Sequence, residues 1–264
     1  GIFPIPKAVR RGTRWPTKDW RQTCFFNVTR SAGSRTDTDR AGSMTTRDFK
    51  TRLRALDTPT LSDALDALGL PGAIHGLLPL TARARIAGRV RTVRLGAPVA
   101  GRPKVHLGAG AIVAAEAGDI IVVEHRGRVD VSGWGGLLSR GAIARGIEGV
   151  IVDGAVRDID EASELGFPVY ARAGVPVTAR GRVAELAHGE PITVAGLAVR
   201  QGDWVIADAS GVVFLAADSL EKILAMAERI FAREQMMARD IAAGVPIDEV
   251  MGTDYEDMLV EDAL

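Results

Sequence analysis

Between residues 120 and 171 the sequence alternates strand-like and helix-like patterns, and that alternation restricts the possible folds more than any other feature. Ile120–Glu124 is a short apolar run entered through the turn pair Gly118-Asp119. Gly135–Arg145 reads as a helix, Val150–Asp153 as a second apolar strand, Asp158–Leu165 as a helix stopped by Gly166, and Phe167–Ala171 as a third strand. Strands joined through helices lie parallel, with the helices on the faces of their sheet. The expected architecture is a mixed α/β domain whose central sheet is covered by helices.

The flanking segments extend this pattern. Thr45–Leu56 and Leu61–Leu68 read as short helices, with Thr60 as a cap and Gly69 as a stop. Arg85–Leu95 alternates basic and apolar residues, as a half-buried strand does. Val105–Ala117 is expected to be a helix of small residues, with Asp130 further on in a turn. Ile192–Val194, Leu197–Val199, Trp204–Asp208 and Val212–Leu215 read as short strands. A long terminal helix from about 219 to 243 carries apolar residues at Leu220, Ile223, Leu224, Met226, Ala227 and Ile230, a stripe suited to subunit packing.

Residues 1–43 follow no such period and are expected to be a disordered or non-native leader, or an organelle transit peptide, ahead of a single domain over 44–264. They hold nine of the 33 Lys and Arg but three of the 33 Asp and Glu, which leaves 24 basic against 30 acidic residues from position 44 onward. An acidic body repels nucleic-acid phosphates, so no nucleic-acid role is expected. No apolar run approaches the roughly 18 residues of a membrane span. The single cysteine, Cys24, fits a cytoplasmic location.

The chemistry concentrates in Trp134-Gly-Gly-Leu-Leu-Ser-Arg-Gly-Ala-Ile-Ala-Arg-Gly146 and Val150-Ile-Val-Asp-Gly-Ala-Val-Arg-Asp158. A glycine-led helix start leaves backbone N–H groups free and presents the positive end of the helix dipole, a seat for a carboxylate or phosphate. Asp153-Gly154 closes a buried strand, and ligands of α/β sheets bind beyond the carboxyl ends of strands. Arg157 can clamp a carboxylate through two parallel hydrogen bonds. Asp158 can hold a hard cation, since Mg²⁺ takes one or two carboxylates plus water and substrate oxygens. The plainer alternatives are that Asp158 caps the following helix and Arg157 forms a surface ion pair.

The ordered pattern Trp-Gly-Gly-Leu-Leu, Gly-Ile-Glu-Gly-Val-Ile-Val-Asp-Gly-Ala-Val-Arg-Asp and Gly-Phe-Pro-Val-Tyr-Ala-Arg resembles the RraA-like family, and Thr58-Pro-Thr60-Leu-Ser-Asp63-Ala fits its opening. The resemblance runs from about residue 52 to 245. It implies a compact α/β sandwich assembled as a homotrimer or homohexamer, with active sites between subunits. In the family's aldolases, which cleave 4-hydroxy-4-methyl-2-oxoglutarate and related acids, the arginine matching Arg157 binds the pyruvyl carboxylate. The aspartate matching Asp158 holds Mg²⁺ or Mn²⁺, and the amides matching Gly135, Gly136, Leu137 and Leu138 receive substrate. An acidic residue on the terminal helix of a neighbouring subunit assists the water at the metal. Glu234 is the best match, and a solvated helix face is its plainer reading.

One departure bears on function. Many aldolases of the family carry Asp or Glu where this chain has Gly136, as the family's ribonuclease regulators do not. Those regulators often lack the aspartate that this chain keeps as Asp158. The implied activity is a metal-dependent lyase acting on a pyruvate-containing 2-oxo acid or on oxaloacetate. The alternatives are a non-enzymatic regulator that binds a ribonuclease, and a sugar-acid lyase or dehydratase. His75, His106, His125 and His188 show no metal-ligand spacing. His75 and His106 could reach a site across an interface, and Glu124-His125 could lie near a site's mouth.

Overall fold

The computed structural model describes residues 45–81, 85–101 and 106–252, and the leader expected at residues 1–43 lies outside them. Two helices open the described chain: α1 (Thr46–Ala55), closed by a capping box between Thr45 and Asp48, and α2 (Thr58–Ala67), capped by Asp57. There follow β1 (Ala73–Ile74), β2 (Leu78–Pro79), β3 (Ile86–Gly96), α3 (Ala109–Ala114), β4 (Ile120–Ser132), α4 (Gly136–Arg145), β5 (Gly149–Val156), α5 (Ile159–Glu164) and β6 (Val169–Gly174). The remainder is β7 (Ala184–His188), β8 (Ile192–Val194), β9 (Leu197–Val199), β10 (Trp204–Ala207), β11 (Val212–Leu215), the long α6 (Leu220–Ala242) and α7 (Ile247–Val250).

One mixed sheet of nine strands organises these elements in the order β1-β11-β10-β3-β4-β5-β6-β2, with β7 also paired to β3. β3, β4, β5 and β6 are parallel, and the outer pairs β10–β3, β10–β11, β1–β11 and β2–β6 are antiparallel. β5 is buried along its whole length, which is why its sequence is a near-continuous apolar run rather than an alternating one. On one face Val93, Val123, Val150 and Val152 pack with Trp134, Leu138 and Ala162 from the region of α4 and α5. On the other, Val90, Val122, Ile151 and Tyr170 pack under Ile192, Val194 and Val199 of the β8–β9 hairpin. A third cluster joins Leu53, Leu61 and Leu65 of α1 and α2 to Ile223, Leu224, Ala227 and Ile230 of α6. The layered α/β arrangement with a long terminal helix is the expected one.

Three local readings differ from expectation. Of the helix expected over Val105–Ala117, residue 105 lies outside the described residues, and among the others only Ala109–Ala114 is helical. Gly108 enters it in the left-handed region (φ 72°), and the Asp119 side chain ends the segment by accepting from the Glu116 amide at 2.7 Å. The strand expected to stop at Glu124 continues to Ser132, because Arg126 and Gly127 take positive φ (56° and 69°) and bend it rather than break it. Asp130 therefore lies in the strand, not in a turn. β7 is an additional strand, half-buried and beside β3.

The bend in β4 explains Gly154. A Cβ there would stand 2.5 Å from His125 Cδ2 and 2.7 Å from the Arg128 carbonyl oxygen, and a backbone atom cannot step aside cheaply. Gly154→Ala is expected to lower the unfolding free energy by about 3 kcal/mol, read as a fall in the urea midpoint at unchanged slope. Among the described residues no helix is long and apolar enough to cross a membrane.

Candidate active site

The site is assembled where β4 and β5 end side by side. After Ser132 the chain turns through Gly133-Trp134-Gly135 into α4, and three contacts fix that turn. The Gly133 amide donates to Ala155 O at 2.8 Å, the Arg157 amide donates to Trp134 O at 3.0 Å, and the buried Trp134 indole donates to Ser139 Oγ at 3.0 Å. Arg157 and the start of α4 are thereby neighbours through the backbone. Gly135 precedes α4 without a side-chain cap. A Cβ on it would lie 2.9 Å from Asp158 Oδ2 and 3.2 Å from Arg157 Nε, so glycine here lets both side chains rest on the helix start.

Asp158 sits in the left-handed region (φ 58°, ψ 39°), which Asp tolerates better than most residues but which still stores strain at this position. It precedes α5 without capping it through its side chain. Its Oδ2 instead accepts from the Gly136 amide of α4 at 2.8 Å and lies 3.2 Å from Arg157 Nε. A carboxylate at the positive end of a helix is favourable. Arg157, Asp158 and Gly135–Leu138 line a single cavity of about 610 Å³.

The four amides expected to receive a ligand are not equally available. Gly136 N–H is engaged by Asp158 and Leu138 N–H by Gly135 O at 3.1 Å, because the first turn of α4 tightens onto its own cap. Among the described residues the Leu137 N–H has no partner.

Glu161, which the sequence reading left out, stands over Gly136. An added Cβ at 136 would lie 1.9 Å from Glu161 Oε2, so this carboxylate occupies the volume that a side chain at 136 would need. Arg140, one turn into α4, holds the other carboxylate oxygen at 2.6 Å. Asp158 and Glu161 thus both reach residue 136, one through its amide and one through its side-chain space. The sequence signal was available. Position 161 is three residues after Asp158 on a helix, hence on the same side. Two carboxylates suit Mg²⁺ or Mn²⁺, which keep much of their water. Among the described residues no group of three or more His, Cys, Asp or Glu side chains is placed to cage a metal.

Glu234 does not line this cavity within its own chain. Nor is it on a fully solvated face. It is half-buried on α6, where burial together with the Asp63 and Asp57 carboxylates of the α2 region pushes its carboxyl group upward from the usual range. At neutral pH its charge opposes folding. Glu234→Gln is expected to raise the Tm by about 1–2 °C, measured by calorimetry, and this gain should shrink as the pH falls through the raised folded-state value and the native glutamate takes up its proton.

His106 lines the cavity, whereas His75 lies in a separate one beside Arg172 and Asp66. Glu124 and His125 are buried and committed to the backbone, Glu124 accepting from the Thr193 amide and His125 Nε2 bonding Val131 O, so neither lies at the site's mouth.

With this geometry in place, the comparisons with known proteins are specific. The Aldolase/RraA profile of the RraA-like family matches residues 58–214. A 4-hydroxy-4-methyl-2-oxoglutarate aldolase of Thermus thermophilus is 36% identical over 136 residues, 50% of this chain and 77% of that protein. A Halalkalibacterium halodurans protein, provisionally assigned the same activity, is 31% identical over 198 residues, 75% of this chain and 90% of its own. Protein DlpA of Legionella pneumophila is 28% identical over 189 residues, 72% of this chain, and the match spans only 31% of its length. Among solved structures, an uncharacterized protein from Pseudomonas syringae pv. tomato superposes with a TM-score of 0.71 at 26% identity, covering 78% of this chain and 98% of that one. Streptomyces coelicolor RraAS2, described as an unusual member of the RNase ES inhibitor RraA family, gives 0.65 at 22% identity over 76% of this chain and 98% of its own, a likeness of fold alone.

Proposed function

This chain belongs to the RraA-like family, and from that premise we propose that it is a divalent-metal-dependent lyase cleaving a pyruvate-containing 2-oxo acid. The reaction is retro-aldol cleavage, decarboxylation or both, with 4-hydroxy-4-methyl-2-oxoglutarate and oxaloacetate as representative substrates. The observation that carries this reading is the convergence of Arg157, Asp158 and the start of α4 on one cavity.

In this reading the Arg157 guanidinium, which meets Asp158 through Nε, uses its terminal nitrogens to grip the substrate carboxylate. The Leu137 amide donates to a substrate oxygen. Asp158, with Glu161 beside it, holds Mg²⁺ or Mn²⁺, which when bound supplies the Lewis acid that polarises the 2-oxo group. In retro-aldol cleavage the 4-hydroxyl loses its proton, the C3–C4 bond breaks, and its electron pair passes toward the 2-oxo group. The products are a carbonyl compound and the enolate of pyruvate, which becomes pyruvate when C3 takes up a proton. In decarboxylation the same electron flow releases CO₂. Glu234 of a neighbouring subunit in a trimer or hexamer accepts the hydroxyl proton, directly or through water, and a carboxyl group with a raised pKa is the better base for it.

The non-enzymatic regulator reading drew its support from Gly136. Glu161 weighs against it, because a carboxylate returns to that place from α5. The test is coupled pyruvate release over a panel of 2-oxo acids with Mg²⁺ or Mn²⁺. Turnover that stops with chelator and returns with metal is expected. No pyruvate from any panel member with either metal would overturn the proposal.

A further inference from the structure

The path by which β4 reaches the α4 start is not fixed by its ladder with β5. Along β4 the paired residues include Val123, Arg128 and Ser132, and opposite them on β5 stand Val152, Gly154 and Ala155. Nine steps of one strand therefore face three of the other. The surplus is carried as bulges, and ladder bonds between these two strands do not set the course of residues 129–131. Yet Val131 is fully buried, and Ser132-Gly133-Trp134 lead from it directly to Gly135.

A side chain sets that course instead. His125, 2% exposed, donates from Nε2 to Val131 O at 2.8 Å. A carbonyl only accepts, which fixes a ring proton on Nε2. Two glycines grip the ring. A Cβ on Gly133 would stand 3.1 Å from its Cγ and Cδ2, and one on Gly154 would stand 2.5 Å from Cδ2. Burial pushes the imidazole pKa downward, so at neutral pH the ring is an uncharged donor. Gly133 passes the constraint on: its amide donates to Ala155 O, and the Arg157 amide donates to Trp134 O. His125 thus stands behind the backbone contacts that join Arg157 to the α4 start, without lining the cavity itself.

We infer that His125 is a positioning residue, whose imidazole closes the β4 bulge and sets where the α4 start meets Arg157 and Asp158. Its effect on catalysis rests on the lyase reading, and its effect on the turn does not.

The test is amide hydrogen exchange of the full chain, wild type against His125→Leu and His125→Gln, with pyruvate release measured alongside. Leucine fills the space without a donor, whereas the glutamine amide can donate in place of Nε2. In His125→Leu the Gly133 and Arg157 amides should exchange about 10- to 100-fold faster, with the amides of β10 and β11 unchanged. Its kcat should fall by about 10- to 100-fold with KM near wild type, and His125→Gln should restore both exchange and turnover. Unchanged exchange at Gly133 and Arg157, equal acceleration throughout the sheet, or a glutamine variant no better than the leucine one would overturn the inference. Should His125→Leu not fold, the ring ¹⁵N shifts of the wild type decide. A proton on Nε2 is expected, and a proton on Nδ1 alone would overturn the inference. Selective acceleration in a protein that releases no pyruvate from any 2-oxo acid would sink the lyase reading and leave the positioning role standing.

Discussion

Asp158→Ala is expected to abolish the proposed metal-dependent pyruvate release, with kcat/KM falling by about 10³-fold, while the fold persists. The size of the effect follows from how many jobs one carboxylate does. Asp158 is the acidic side chain that meets both Arg157 and the α4 amide of Gly136, so its loss removes the proposed metal seat and leaves the guanidinium without its positioning partner. The structural cost is smaller, about 1 kcal/mol for the lost helix-terminal acceptor. Asp158→Asn separates the two effects. Asparagine tolerates the left-handed backbone and can still accept from the Gly136 amide, so stability stays near wild type while the anionic ligand is gone. Near-normal turnover in either variant, assayed at saturating Mn²⁺, contradicts the assignment.

Glu161→Ala is expected to lower kcat/KM by about 10²-fold and to weaken Mn²⁺ binding measured without substrate. The geometry makes a sharper prediction about how to reverse it. Because the Glu161 carboxylate fills the space of a side chain at 136, Gly136→Asp in the wild type sets two carboxylates against each other and lowers activity. In the Glu161→Ala background the same change enters vacated space and should recover about tenfold of the lost activity. If Gly136→Asp harms both backgrounds equally, the two positions do not share one role.

How much of this was legible in the sequence depends on how local each feature is. The strands at 150 and 204 were readable as unbroken apolar runs, buried at every residue, and the helix at 135–145 was readable from its glycine-led start and from Gly146, which stops it. β7 was not, since all but the last of its five residues are half-buried and it offers no alternation to detect. The extension of β4 depends on a bend at Arg126-Gly127 that resembles a turn until its partners, Gly154 and Ala155 on β5, are known. At the site, Arg157 and Asp158 were legible because they are adjacent to a glycine-led motif. The meaning of Gly136 was not, because what fills its side-chain space comes from another helix. Glu234 likewise looked solvated until the packing of α6 on α2 set it beside Asp57 and Asp63.

The most direct measurement is anomalous diffraction from crystals soaked with Mn²⁺ and oxalate, a mimic of the pyruvyl acid portion. The account predicts a Mn²⁺ peak about 2.0–2.2 Å from an Asp158 carboxylate oxygen, or joined to it by one water, with Glu161 adjoining. An oxalate carboxylate should lie on the Arg157 guanidinium. Manganese bound elsewhere, with Arg157 and Asp158 contacting neither metal nor oxalate, would contradict it.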